Sequence, residues 1–234
     1  VICIKQSITI NKYFAMKLHY MPPSPNSQGP LSVIRELGLD CEPVNCYGKT
    51  RTPEFIAMNP CHCAPTIEFD DGTAMWESAS VMRFLCNVSE KGDKLYPVDP
   101  RKRAMIDMAL DWRQTSLYPC FPAIGYIAFG MTCDDEEAKK KFAELQGTHF
   151  PILMDTFLKD TKFVFSDTPT IADLSIALPL VFIQAREKFW EAVPDKVKDY
   201  FNAVKEAFPH TAEEYGMISH MCINCESPGA KLEL

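Results

Sequence analysis

The alternation of apolar and polar residues changes rhythm once along this chain, near Gly92. Before it the runs are short. Residues 17–21 suit a strand stopped by Pro22-Pro23. Leu31, Ile34, Arg35, Leu37 and Gly38 suit a helix with Pro30 in its first turn and Gly38 at its end. Residues 42–47 read as a second strand, and Thr52 caps a short helix that has Pro53 at its first position. Residues 66–69 and 73–76 are strands joined through Asp70-Asp71-Gly72, a hairpin turn. A helix over 78–88 buries Ala79, Met82, Phe84 and Leu85. This β-α-β-α-β-β-α order implies a mixed sheet covered by helices.

After the proline-bearing stretch 93–100, the pattern is helical throughout. Met105, Met108, Ala109 and Trp112 form one apolar stripe at i, i+3, i+4 and i+7. Asp134-Asp135-Glu136-Glu137 places negative charge at the start of the next helix, where the macrodipole favours it. That helix continues through Phe142 and Leu145 to Leu153, Phe157 and Leu158, with Pro151 expected to kink or break it. Further helices are expected from 170 to about 187 and from 194 to 208. The expected organisation is a leader of unassigned status (1–15), an α/β domain (16–92), a linker (93–100), an all-helical domain (101–215) and a loosely ordered tail (216–234). Met16 reads as a natural start, because a strand begins directly after it.

Charge and cysteine usage narrow the function. The net charge is −7, and basic residues are scattered rather than clustered. No nucleic-acid footprint follows, and anionic membranes are not attracted. No apolar run reaches the length of a membrane span. A small-molecule or protein partner remains. The ten cysteines are dispersed over a chain long enough to build a core, and read as mostly buried, reduced thiols of a cytoplasmic protein. Cys222-x-x-Cys225 with His220 offers at most three ligands, and it lies in the tail, away from any strand-to-helix turn. Cys61-His62-Cys63 has no partner set either. No metal site and no cofactor are expected.

Four motifs in register carry a resemblance. Residues 55–67, FIAMNPCHCAPTI, are similar to the "F-hydrophobic-x-x-NP-x-x-x-V-P-x-L" segment of the soluble glutathione transferases. Trp76-Glu77-Ser78-Ala79 resembles their "x-E-S-x" signature. Leu95-Tyr96-Pro97 followed by Arg101-Lys102-Arg103-Ala104 resembles the linker and next helix of the delta and theta classes. Thr170-Ile171-Ala172-Asp173 resembles the capping motif of the family's buried sixth helix. The similarity spans about residues 16 to 210.

The resemblance implies a thioredoxin-like N-terminal domain that binds glutathione and a C-terminal helical bundle that holds the electrophile. It implies a cis Ala64-Pro65 bond, with the Ala64 backbone pairing the cysteinyl amide of glutathione. His62 would hold the glycyl carboxylate. Glu77 would accept from the γ-glutamyl ammonium, and Ser78, expected also to cap its own helix, would bind the γ-glutamyl carboxylate. The catalytic hydroxyl aligns with Ser24, which would hydrogen-bond the glutathione sulfur and favour thiolate over thiol. Ser24-Pro25-Asn26 also resembles the Thr-Pro-Asn loop of nu-class proteins, in which an Asn amide contacts the sulfur, so Asn26 competes for the role. Trp112, Ser116 and Tyr118 are candidates for the electrophile pocket, with Phe121, Ile124 and Phe129 as walls. A hydrophobic electrophile, hydroperoxides as further substrates, a two-fold homodimer and a detoxifying role complete the implied picture. The competing reading is a binding or structural subunit that keeps the fold without turnover.

Overall fold

The structure, a computed structural model, describes residues 15–126 and 134–211. The expectations for residues 1–14 and 216–234, including the Cys222–Cys225 pair, lie outside them, as does Phe129. Strands β1 (Met16–Tyr20), β2 (Cys41–Asn45), β3 (Thr66–Phe69) and β4 (Ala74–Trp76) align in the order β2-β1-β3-β4. β1 runs parallel to β2 and antiparallel to β3, so the sheet is mixed. Leu18 and Ile67, facing each other on the two central strands, are fully buried. β2 lies at the edge, the one place where its Pro43 removes no needed ladder bond. Gly72 takes φ 80 in the β3–β4 turn, a conformation that disfavours any side chain.

Helices α1 (Pro25–Leu37), α2 (Pro53–Met58) and α3 (Ser78–Asn87) complete this part. α1 starts earlier than expected. Pro25, not Pro30, occupies the first turn, and Pro30 sits inside the helix. A proline there leaves the Asn26 carbonyl without its helical donor, a loss that propensity rules weigh more heavily than the surrounding packing does. Gly38 ends α1 at φ 64, as expected. A Cβ on Gly29 would lie 2.9 Å from the Met82 sulfur, so glycine allows α1 to close on α3.

The second part contains α4 (Pro100–Trp112), α5 (Phe121–Gly125), α6 (Asp135–Glu144), α7 (Phe150–Ile152), α8 (Ile171–Ala177), α9 (Leu180–Gln184), α10 (Glu187–Glu191) and α11 (Asp195–Ala207). α4 buries Ile106, Ala109 and Leu110, while Met108 is exposed. Of the predicted Met105, Met108, Ala109 and Trp112 stripe, Ala109 is buried and Trp112 packs on the core, but Met108 is not covered and Ile106 and Leu110 take its place. This helix is apolar on two sides, and packing against α8 selects between them. Around Pro151 the helix is not broken but widens into π-type turns on either side, Leu145–His149 and Leu153–Phe157.

The expected single helix over 170–187 is two short ones, α8 and α9, and they separate where Pro179 cannot donate to the carbonyl of Ser175. Arg113 Nε supplies that missing donor at 3.0 Å. All of α8 is buried, and it packs against α1, α3, α4 and α11. One continuous apolar cluster runs from Leu18 to Phe208 across both parts. Arg83 Nε to Asp107 Oδ1 at 2.7 Å and Tyr96 Oη to the same carboxylate add polar ties between α3, the linker and α4.

Candidate active site

Sheet register determines which loops meet. His19 pairs with Thr66, and Thr66 with Trp76. The turn after β1, the loop before β3 and the turn after β4 therefore leave the sheet at the same end. Ser24, Ala64-Pro65 and Glu77-Ser78 belong to those three segments. Local contacts then fix each one.

The first segment folds back onto α1. Met21 N donates to Ser27 Oγ at 3.1 Å, and Gln28 Nε2 donates to the Pro22 carbonyl at 2.6 Å. Ser24 is the N-cap residue, with extended φ −90 and ψ 116, and its carbonyl accepts from Ser27 N and Gln28 N. Its hydroxyl makes no capping hydrogen bond, although Pro25 at the first position would permit one, as the Thr52-Pro53 and Asp99-Pro100 caps do. Asn26 is placed differently. Its Oδ1 accepts from Arg113 Nη2 at 2.6 Å, and its amide also approaches the Tyr118 hydroxyl.

The second segment is pinned by Asn59, which is fully buried. Its Nδ2 donates to the Cys63 carbonyl at 3.1 Å and to Thr66 Oγ1 at 2.8 Å, while its Oδ1 accepts from Cys61 N at 2.9 Å. The Ala64-Pro65 bond is cis, as the resemblance implied. His62 is exposed at φ 42.

In the third segment, Glu77 is the N-cap of α3 at φ 73 and Ser78 is the first helical residue. The expectation that Ser78 caps its helix is thus corrected. Glu77 takes the cap position in a left-handed conformation, and no side chain caps this end. The leading amides of α3 remain open to an anion, with the positive end of the helix dipole behind them.

The N-terminal portion matches a family model described as "Glutathione S-transferase, N-terminal domain" over residues 18–91. The chain is 31% identical over 176 residues to glutathione S-transferase D7 of Anopheles gambiae, covering 72% of this chain and 76% of that one. The chain belongs to the glutathione S-transferase family. A solved glutathione transferase of Bombyx mori superposes with a TM-score of 0.71 at 31% identity, covering 93% of this chain and 95% of that one. A delta-class glutathione transferase of Nilaparvata lugens gives the same TM-score at 29% identity, covering 88% and 97%.

As in other glutathione transferases, the sheet domain is followed by helices, and here a buried cation joins the two. Arg113 is 1% exposed, and no carboxylate contacts it among the described residues. Its guanidinium reaches the Ser175 carbonyl, Gln114 Oε1 and Asn26 Oδ1, and lies 4.0 Å from the centre of the Tyr118 ring. Burial lowers its pKa to about 10, so it stays cationic at neutral pH. Burial likewise raises the Tyr118 hydroxyl, which stays protonated. Among the three residues expected at the electrophile pocket, Tyr118 adjoins α1 through Asn26. Trp112 faces elsewhere, edge-on to Phe157 and His149 at 4.8 and 5.9 Å. Ser116 is half-buried beside Thr115. Phe121 and Ile124 are fully buried core residues rather than pocket walls.

Two cysteines near the site, Cys63 and Cys46, are poor nucleophiles. Burial raises the Cys63 thiol, and Asn59 only partly offsets it. Cys46 is pushed up to about 11 for the same reason. Two structural residues escaped sequence reasoning. Asn59 was visible within the Asn-Pro motif but carried no assigned role. Arg113 had no local signal beyond Pro179, sixty-six positions further along.

Proposed function

We propose that this chain is a glutathione transferase in which the Ser24 hydroxyl donates a hydrogen bond to the glutathione sulfur and holds it as thiolate. One observation carries the reading: the His19–Thr66–Trp76 register brings an uncapped serine hydroxyl, a cis-proline loop and an uncapped helix N-terminus to one end of the sheet. These supply a thiol partner, an amide partner and a carboxylate partner, the groups that a tripeptide thiol displays. The γ-glutamyl carboxylate meets the α3 amides and Ser78, and the ammonium meets Glu77. The cysteinyl amide pairs with the Ala64 backbone beside Pro65, and His62 takes the glycyl carboxylate.

The proton leaves the substrate thiol, so no protein base is required. The thiolate forms a bond to an electrophilic carbon as the leaving group departs. With a hydroperoxide it attacks the terminal oxygen, the O–O bond breaks to release the alcohol, and a second glutathione displaces water from the resulting sulfenic acid to close the disulfide. Ser116 and Tyr118 border the electrophile, and Trp112 backs them from the helical core. Asn26 has its oxygen engaged by Arg113 and its amide directed at the Tyr118 hydroxyl, which favours Ser24 as the sulfur partner. The protein acts as a cytoplasmic homodimer in detoxification, with glutathione as co-substrate and no cofactor.

Retention on immobilised glutathione with turnover of an aryl halide is expected. Binding without turnover on several electrophiles would reassign the chain to a non-catalytic subunit, and no binding would end the proposal. A charge-assisted hydrogen bond contributes about 1.5–3 kcal/mol, so Ser24→Ala should raise the bound thiol's apparent pKa by about one to two units. The thiolate absorbance of bound glutathione against pH reads this directly. An unchanged value in Ser24→Ala with a shift in Asn26→Ala would move the role to Asn26.

A further inference from the structure

A second cluster of reactive side chains lies within the helical part and plays no role in the reading above. Cys120 stands in the turn before α5, Glu144 is the last residue of α6, and His149 ends the π-type turn that follows. In an ideal α-helix, residues five apart sit roughly 140° around the axis from one another. The π-type turn closes with Phe150 N donating to the Leu145 carbonyl, and this wider winding brings His149 round toward Glu144. One ligand atom from each of Cys120, Glu144 and His149 lies within 4.8 Å of the other two.

His149 is 6% exposed; its Nδ1 has no hydrogen-bond partner among the described residues, and its Nε2 has only a long contact to Glu144. The nearest carboxylate oxygen, Glu144 Oε1, is 3.5 Å from Nε2. Trp112 Nε1, on a ring edge-on to His149, is also buried without an acceptor.

We infer that Cys120, Glu144 and His149 form a binding site for a divalent cation of the zinc class, with a water in the fourth position. Zinc bonds of about 2.0–2.3 Å to nitrogen, oxygen and sulfur imply ligand-to-ligand edges of roughly 3.3–3.8 Å, which the 3.5 Å separation already meets. A mixed sulfur, nitrogen and oxygen set selects zinc-like ions over magnesium or calcium. Lys141 Nζ, 2.9 Å from Glu144 Oε2, orients the carboxylate from outside, and the half-buried Glu144 opens a path from solvent. Cys120 binds as thiolate and releases its proton to solvent on metal entry. His149 Nδ1 lacks the usual outer acceptor, which makes this a moderate-affinity site.

The test is a cobalt(II) titration of the full chain after chelator treatment, without glutathione, followed by thiolate-to-cobalt charge-transfer absorbance and competed with zinc. One equivalent should give the band in the parent protein. Cys120→Ser should abolish it, and Glu144→Gln and His149→Gln should each weaken binding at least about tenfold. Glu144 sits at the rim, so Glu144→Gln keeps the test valid if a core variant fails to fold. Absence of the band in the parent overturns the inference. An undiminished band in Cys120→Ser does so too, since it would assign binding to another of the ten cysteines.

Discussion

Asp173 is fully buried, and its carboxylate accepts four hydrogen bonds. Oδ1 takes Val164 N at 2.8 Å and Tyr200 Oη at 3.1 Å. Oδ2 takes Thr170 N at 2.7 Å and Thr170 Oγ1 at 3.1 Å. Asp173→Ala strands two buried backbone N–H groups at about 1–3 kcal/mol each. Removing a desolvated charge returns part of that. The net loss should be about 3 kcal/mol, which lowers the melting temperature by about 6–12 °C for a chain of this size. Burial raises the Asp173 pKa from 3.8 to about 6, against the hydrogen bonds from Val164, Thr170 and Tyr200. The folded protein then holds the proton more tightly than the unfolded one. Its contribution is full below the unfolded value and is lost as pH rises through about 6. The stability gap between parent and Asp173→Ala should therefore narrow from pH 4.5 to pH 7, measured by equilibrium urea unfolding. A loss below about 1 kcal/mol, or a gap that widens with pH, would refute the reasoning.

Four further substitutions probe the junction and the strained cap. Arg113→Lys keeps a buried cation but offers one ammonium to acceptors spread over Ser175, Gln114 and Asn26, and should destabilise by about 2 kcal/mol. Pro179→Ala restores a backbone donor for the Ser175 carbonyl. A double-mutant cycle in urea should then show coupling above about 0.5 kcal/mol, and strict additivity would remove Arg113 from that role. Glu77 holds φ 73, so Glu77→Gly should be more stable than Glu77→Ala by about 1 kcal/mol. Both should bind glutathione more weakly in calorimetry, and equal stability would show that the cap stores no strain.

The first part of the fold was legible because its signals are local. Thr52 with Pro53, the Asp-Gly turn and the Gly38 stop each act within a few residues, and each element appeared where its turn chemistry placed it. The misreadings came where neighbours distant in sequence decide. Pro30 is tolerated inside α1, and Ser78 yields the cap to Glu77 because the backbone enters α3 in a left-handed conformation. α4 offered two apolar stripes, and only contact with α8 chose between them.

The candidate site divides along the same line. Sequence by itself determined which residue types were present: a serine after the first strand, a proline before the third and an acidic-serine pair at a helix start. Tertiary structure decided their convergence, through the pairing of His19 with Thr66 and Thr66 with Trp76. It also decided that Asn26 is held by Arg113 from eighty-seven positions away, and that His149 turns toward Cys120. Hydrogen-bond partners of buried polar groups are set by packing over long sequence separations, and no local periodicity carries that information.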